Sequence, residues 1–249
     1  MHDRVQALLG RPDQDTSLSG RIDSMFTSFA DLALDPGSSV LRQNMVSGID
    51  SFTGDLSRLA AEVQTLRTEA SAQISNGVNR INAAMEQISY LNPLIIRETN
   101  LGHSTGGLEG QREQALAELA ELIDIRTTDT GNGGLAITTS TGVTLFDGVV
   151  YQLQYASPAT ATAETKYPPI TLSKKDPITG VLTATGTKLD SSIVSGELRG
   201  LLNMRDQILP DMAQELGELG RQFTNSINEL HNSLTAFPAP SQLTGTNKG

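Results

Sequence analysis

The sequence predicts an α+β chain: an elongated antiparallel bundle of long helices with a small antiparallel β domain inserted into it. Three observations carry that prediction. From Asp35 to about Leu91 the apolar residues recur at helical spacing. From Asp124 to Ile193 the period changes to alternation, punctuated by Gly-rich turns. Beyond Ser195 the helical period returns. Residues 1–123 and 194–236 therefore form a discontinuous helical bundle, 124–193 an inserted β domain and 237–249 a flexible tail.

The elements follow in order. Val5, Leu8 and Leu9 open an amphipathic stretch that Gly10-Arg11-Pro12 should stop. Asp15, Thr16 or Ser17 can cap the next helix, whose stripe is Leu18, Ile22, Met25, Phe29 and Leu32. Asp35-Pro36-Gly37-Ser38 resets the chain, with Pro36 suited to a first helical position. The long helix follows. Ile49, Phe52, Leu56, Leu59, Val63, Leu66 and Ala70 form a heptad seam, and Ile74, Val78, Ile81, Met85 and Ile88 extend it. One such helix spans roughly 80 Å at 1.5 Å per residue. Gly48, Gly54 and Gly77 are its weak points, and Asn76-Gly77 is where it would break, but the stripe continues through that pair. Asn92-Pro93 disfavours helix at Asn92.

After a mobile Gly102–Gly107 connection, Leu108, Ala115, Leu116, Leu119 and Ile123 return to helical period. Ile125 and Thr127, then Leu135, Ile137 and Thr139, alternate around Thr130-Gly131-Asn132-Gly133-Gly134, a hairpin. Asp147-Gly148 reads as a second two-residue turn, between Val143-Leu145 and Val149-Tyr155. Residues 156–169 read as an exposed loop, and strands at Ile170–Leu172 and Val181–Thr183 flank the turn Asp176–Gly180. In the last helix Leu198 to Leu209 lead into Pro210, which should kink the helix or begin another. Met212, Leu216, Leu219, Phe223, Ile227, Leu230 and Leu234 then carry the stripe until Phe237-Pro238-Ala239-Pro240.

Composition narrows function by exclusion. A net charge of −10 opposes nucleic-acid binding, which needs a basic face. The charge is unevenly distributed: Asp124–Ile193 carries a balance of −1, while the rest of the chain carries −9. No run approaches a membrane span, and no signal peptide is visible. Met1-His2-Asp3, leading straight into an amphipathic stretch, reads as the start of a fragment. With no Cys, disulfides, thiolate metal sites and Cys nucleophiles are excluded. His2, His103 and His231 have no ligand spacing. The glycines at 102, 106, 107 and 110 follow no strand, and Asp129, Asn132 and Asp147 lack calcium-loop spacing. Glu113, Glu118 and Glu121 with Arg112 describe a solvated helix face, and no Ser sits in a nucleophile elbow. The sequence nominates no catalytic residue, cofactor or metal site.

Two stretches resemble a known family. Gly110-Gln111-Arg112-Glu113-Gln114-Ala115-Leu116 is similar to the Asp-Gln-Arg-Asp-x-x-Leu segment of the flagellar hook-associated protein FlgK family. Gly200-Leu201-Leu202-Asn203-Met204-Arg205-Asp206-Gln207-Ile208-Leu209-Pro210 resembles that family's Gly-x-Leu-x-x-x-Arg-Asp-x-x-Leu-Pro segment. Leu8-Leu9-Gly10, Gly20-Arg21, Phe26 and Phe29 also resemble the segment before the family's long helix, so the resemblance runs from about Val5 to Leu234. Gly110 and Glu113 depart from the pattern, each standing where the family has Asp, and the terminal apolar segments of the family's inner coiled-coil layer are absent, as in a trimmed chain.

The resemblance implies a structural role in the bacterial flagellum, at the junction of hook and filament. It implies as partners the hook protein, the second junction protein FlgL, further copies in a ring, and an export chaperone acting through the C-terminus. It also implies export without a cleaved signal peptide. Without the assembly segments, this chain alone should be a monomer. Arg112, Glu113, Gly200, Arg205, Asp206, Leu209 and Pro210 match the family motifs, and their place beside the β insert suggests a structural role at the domain junction. Two alternatives share the long helices: another axial flagellar protein, FlgL-like or flagellin-like, and an extracellular sensor or adhesin with a β head that binds a ligand.

Overall fold

A computed structural model describes residues 4–5, 17–160, 162 and 164–233, with backbone alone for 230–233. The readings made at Leu8 to Thr16, at the side chains of Leu230 and His231, and at His2 and everything from Leu234 onward lie outside the described residues. The elements are α1 (Leu18–Leu34), α2 (Ser39–Asn100), α3 (Gly106–Leu122), β1 (Ile125–Gly131), β2 (Gly134–Thr139), β3 (Thr144–Phe146), β4 (Tyr151–Gln154), β5 (Thr171–Lys175), β6 (Leu182–Lys188), α4 (Glu197–Asn203), a π turn (Met204–Ile208) and α5 (Leu209–Ser233). They fall into two compact units, Met1–Leu66 with Leu209–Gly249, and Arg67–Ile208. That division cuts the long helix α2. The boundaries expected at 123/124 and 193/194 follow the change of hydrophobic period, whereas compactness follows burial, and the strands bury themselves on helix residues of the second unit.

In the first unit Ser17 caps α1, its Oγ accepting the Gly20 N–H at 3.0 Å. Pro36 lies in the turn and not at a first helical position; Ser38 caps α2 instead, its Oγ accepting the Leu41 N–H. α1 turns back along α2: Arg21 meets Asp55 at 2.8 Å, and a Cβ on Gly48 would lie 3.3 Å from Ser28 Oγ. Phe52, Leu56, Leu59 and Val63 are buried with Met25 and Leu216, and the Phe52 and Phe223 rings meet edge-on at 4.8 Å. The heptad seam is thus consumed inside one chain, as an amphipathic helix requires.

In the second unit α2 continues through Asn76-Gly77, as its stripe indicates, and also through Asn92-Pro93, where helix is locally disfavoured. Asn76-Gly77 stays helical, and Gly77 has a packing reason: a Cβ there would lie 2.4 Å from Leu198 Cδ1. Pro93 does not end the helix, which runs seven residues further, to Asn100. A helical proline loses one hydrogen bond, an interior cost of about 3 kcal/mol; here Leu91, Asn92 and Ile95 are buried around it, and tertiary packing outweighs local preference. Gly102, at φ 72°, and the His103 N–H to Glu98 carbonyl bond close the helix.

The strands form two antiparallel three-stranded sheets, in orders β1-β2-β3 and β4-β5-β6. Asn132 (φ 51°) and Gly133 (φ 78°) make the β1–β2 turn as a pair of left-handed residues. The second hairpin does not form as expected. Phe146 and Val150 make a single bridge around Asp147–Val149, after which the chain leaves for the other sheet. β6 extends to Lys188, past the expected Thr183. α4 begins at Glu197, and the disturbance expected at Pro210 appears just before it, as the π turn. Widening one turn ahead of a residue that cannot donate lets the helix resume at Leu209 with Pro210 inside it.

Candidate functional site

The strongest concentration of buried polar chemistry lies in the second unit, where the π turn delivers Arg205 into the core. Arg205 is 2% exposed, and its guanidinium grips the neighbouring Asp206 carboxylate with two bonds of 2.7 and 2.6 Å. Consecutive residues of an α-helix do not face each other, and here the local widening coincides with that pair. Arg205 Nη1 also donates to the Tyr155 hydroxyl at 2.9 Å, and its guanidinium lies 5.5 and 5.1 Å from the Tyr155 and Tyr167 ring centroids. Burial works against the charge of Arg205, but Asp206 and Tyr155 outweigh it, and its pKa is held above the ordinary value.

Arg67 approaches the same Tyr167 ring at 5.3 Å while only 6% exposed. It donates to the Thr162 and Thr165 carbonyls, each at 3.2 Å. Ser71 Oγ lies 2.7 Å from both the Tyr155 hydroxyl and Ser157 Oγ. The segment 156–169, expected as an exposed loop, is therefore tied down by two arginines and a serine. Burial raises the Tyr167 hydroxyl and the nearby Asp190 carboxyl above their usual values, so Tyr167 stays neutral.

Arg112 belongs to a separate cluster. From α3 its Nη1 donates to Asn92 Oδ1 at 3.0 Å and to the Gly133 carbonyl at 2.7 Å, and Asn92 Oδ1 also accepts the Leu135 N–H at 3.0 Å. The first β-hairpin is thereby fastened to two helices. Glu113 faces solvent. Gly200 is exposed, and a Cβ there would meet nothing within 4 Å. Leu209 is fully buried and Pro210 half-buried, and both belong to the first unit. Among the described residues Arg112 and Arg205 share no hydrogen-bond partner, and each organises its own patch.

Three further residues escaped sequence reasoning. Asp124 closes the strand segment on itself: its Oδ2 accepts the Ser140 N–H at 3.2 Å and the Ser140 hydroxyl, and its Oδ1 the Val194 and Ser195 N–H groups at 2.9 and 3.1 Å. Partial burial opposes ionisation there, but those donors prevail and hold the carboxyl below its ordinary 3.8. Asn82 stands in for a missing strand, bonding both the N–H and the carbonyl of Leu153 at 2.9 Å. Gly196, at φ 91°, brings its backbone so near the end of α3 that a Cβ would lie 2.6 Å from the Leu122 carbonyl oxygen. A glycine after a strand segment was the only available signal, and nothing in one sequence pairs Asp124 with residues 70 positions away.

Most of these contacts fasten strands or loops to helices, and those of Asp124 tie the strand segment to itself; none of them presents a nucleophile with a base. Among the described residues no group of three His, Cys, Asp or Glu could hold a metal ion, and no helix is long and apolar enough to cross a membrane.

Comparison with known proteins gives a consistent relationship. Flagellar hook-associated protein 1 of Salmonella typhimurium (strain LT2) is 26% identical over 221 residues, covering 88% of this chain and 38% of the relative. The Escherichia coli (strain K12) protein of the same name is 24% identical over 218 residues, covering 87% and 38%. That of Bacillus subtilis (strain 168) is 19% identical over 243 residues, covering 92% and 47%. The chain spans less than half the length of these relatives. The family described as flagellar hook-associated protein FlgK helical domain matches residues 2–235, and the chain belongs to that family.

Proposed function

We propose that this chain is a structural part of the bacterial flagellum, acting at the junction between hook and filament by packing helices against neighbouring subunits. The observation that carries this is the family match over residues 2–235, together with a helical architecture in which buried Arg67, Ser71, Asn92 and Arg205 bond within the chain. The relatives are named hook-associated proteins, which supports a place beside the hook. Neighbours in this reading are the hook protein, the second junction protein FlgL and further copies arranged as a ring. The protein reaches the outside by flagellar export with a chaperone's help, without a cleaved signal peptide. The strand segment 124–193, balanced at −1 within a chain of −10, faces away from the axis as a spacer. Arg112 and Arg205 keep that segment rigidly seated, so Arg112, Arg205 and Asp206 act within the subunit. No bond-making chemistry is involved.

Deletion in the source bacterium tests this. A mutant that builds hooks but sheds flagellin into the medium supports the junction role. Normal filaments in the deletion strain refute it.

A further inference from the structure

Among the described residues the two three-stranded sheets have four edges, and three of them are guarded. β3 is three residues long, with Leu145 and Phe146 buried. On β4, Asn82 takes both the N–H and the carbonyl of Leu153. β1 is exposed, but Arg126 and Asp129 stand along it, and charged side chains are a common protection of an edge strand. β6 has no such guard. From Val181 to Thr187 the chain carries no charge and no proline. Val181 to Gly186 are all exposed, the apolar Val181 at 59% and Leu182 at 41%.

The backbone specifies what fits there. The Asp176 N–H donates to the Val181 carbonyl at 2.8 Å, so the polar groups of Val181 and, two residues on, of Thr183 turn toward β5. Those of Leu182 and Ala184 turn outward, and among the described residues nothing bonds them. Gly186, at φ 76°, and the register shift opposite Thr171 and Ser173 end the flat part of the edge. What remains is two donors and two acceptors placed symmetrically about Thr183. That row is its own complement. Turned by half a revolution about Thr183, it sets donor against acceptor at all four places.

We infer that β6 of one copy pairs antiparallel with β6 of a second copy, Leu182 opposite Ala184 and each Thr183 opposite its counterpart. Two three-stranded sheets become one of six strands. The pairing closes four backbone hydrogen bonds, covers Val181 and Leu182, and brings two threonines together as a favourable cross-strand pair. It goes beyond the junction role, which does not require it. The contact is isologous, so it closes as a dimer and does not grow. Charge works against it: from Lys166 to Lys188 four lysines stand against one aspartate, so like charges approach and added salt strengthens the pairing. A pairing this short is a small interface, so dilute chains stay monomeric.

Sedimentation velocity of the 249-residue chain, taken into the millimolar range, tests this with Thr183→Lys and Thr183→Glu. Thr183 is exposed and opposite Lys174 of β5, so the glutamate gains an attraction inside its own sheet and should still lose the dimer. Circular dichroism checks that the fold is kept. The expected result is a parent dimer, about fivefold weaker association of each variant, and recovery to at least the parent level when the two are mixed, because opposite charges then face each other. Thr183→Cys adds a thiol to a chain that has none. Directly facing residues of a non-hydrogen-bonded pair lie close enough for a disulfide, so oxidation should link copies about tenfold faster than with Thr128→Cys on β1. A parent chain that stays monomeric throughout, a dimer that both charged variants keep, or equal linking rates at the two positions overturns the inference. None of those results touches the deletion phenotype, so the junction role stands or falls separately.

Discussion

Replacing Gly77 by alanine sets two effects of known size against each other. In a helix interior alanine is favoured over glycine by about 1 kcal/mol. The new methyl, however, would stand 2.4 Å from Leu198 Cδ1, and because Leu198 is fully buried its side chain must shift within packed surroundings. Overpacking of this kind costs about 1–3 kcal/mol. The net expectation is a destabilisation of about 0–2 kcal/mol, the sign set by packing. Removing the obstacle reverses it. Leu198→Ala alone costs about 2–5 kcal/mol, but in that background Gly77→Ala meets no clash and should stabilise by about 1 kcal/mol. Urea unfolding followed by tyrosine fluorescence reads this in the right place, because there is no Trp and all four tyrosines, Tyr90, Tyr151, Tyr155 and Tyr167, lie in the second unit. Midpoint shifts convert to free energy through a slope of about 1–3 kcal/mol per molar urea. If Gly77→Ala stabilises the parent as much as it stabilises the Leu198→Ala variant, the two helices do not meet as described.

Other perturbations address the polar anchors. Arg205→Ala removes a buried guanidinium whose partner Asp206 keeps 44% of its side chain in solvent, so the cost by the same urea assay is that of lost charge-assisted hydrogen bonds, about 1–3 kcal/mol. Arg205→Lys should restore less than half, since an ammonium cannot reproduce the two-pronged grip on Asp206. Asn92→Ala leaves the buried Leu135 N–H without its acceptor, for about 1–3 kcal/mol, and Leu135 amide exchange should accelerate accordingly. Asp124→Ala should cost about 1–3 kcal/mol near neutral pH. Its carboxyl is depressed below 3.8 in the folded state, so its contribution is present above the unfolded value and fades as pH falls through the folded one. The gap between parent and variant, measured by urea unfolding at several pH values, should therefore begin to narrow as pH falls below about 4. A gap that does not narrow at all in that range would contradict the role given to Asp124.

Much of the fold could be read from local pattern. The α1 and α2 stripes appeared where spacing put them, the α1 cap fell on one of its three candidates, Ser17, and the first hairpin turned within Thr130–Gly134. The misreadings share one cause. Asn92-Pro93 discourages helix locally, yet burial of Leu91 and Ile95 carries the helix through. Asp147-Gly148 favours a tight hairpin, yet β3 and β4 have partners in different sheets. Arg112 and Arg205 were found through motifs; their partners Asn92, Gly133, Tyr155 and Tyr167 were not, because those pairings span 20 to 50 residues of chain in the hydrogen bonds alone.

By itself the sequence determined the periods, the turns, the absence of thiol chemistry and the family's motifs, because each depends on residues within a few positions of one another. Only the tertiary structure decided which glycines are needed. Gly77 and Gly196 are held by close neighbours, while Gly200, inside a family motif, is not. It also decided that the strand segment is fastened by Asp124, Asn82 and two arginines. Whether a side chain is costly or useful when buried depends on what the rest of the chain places beside it, and that is a property of packing.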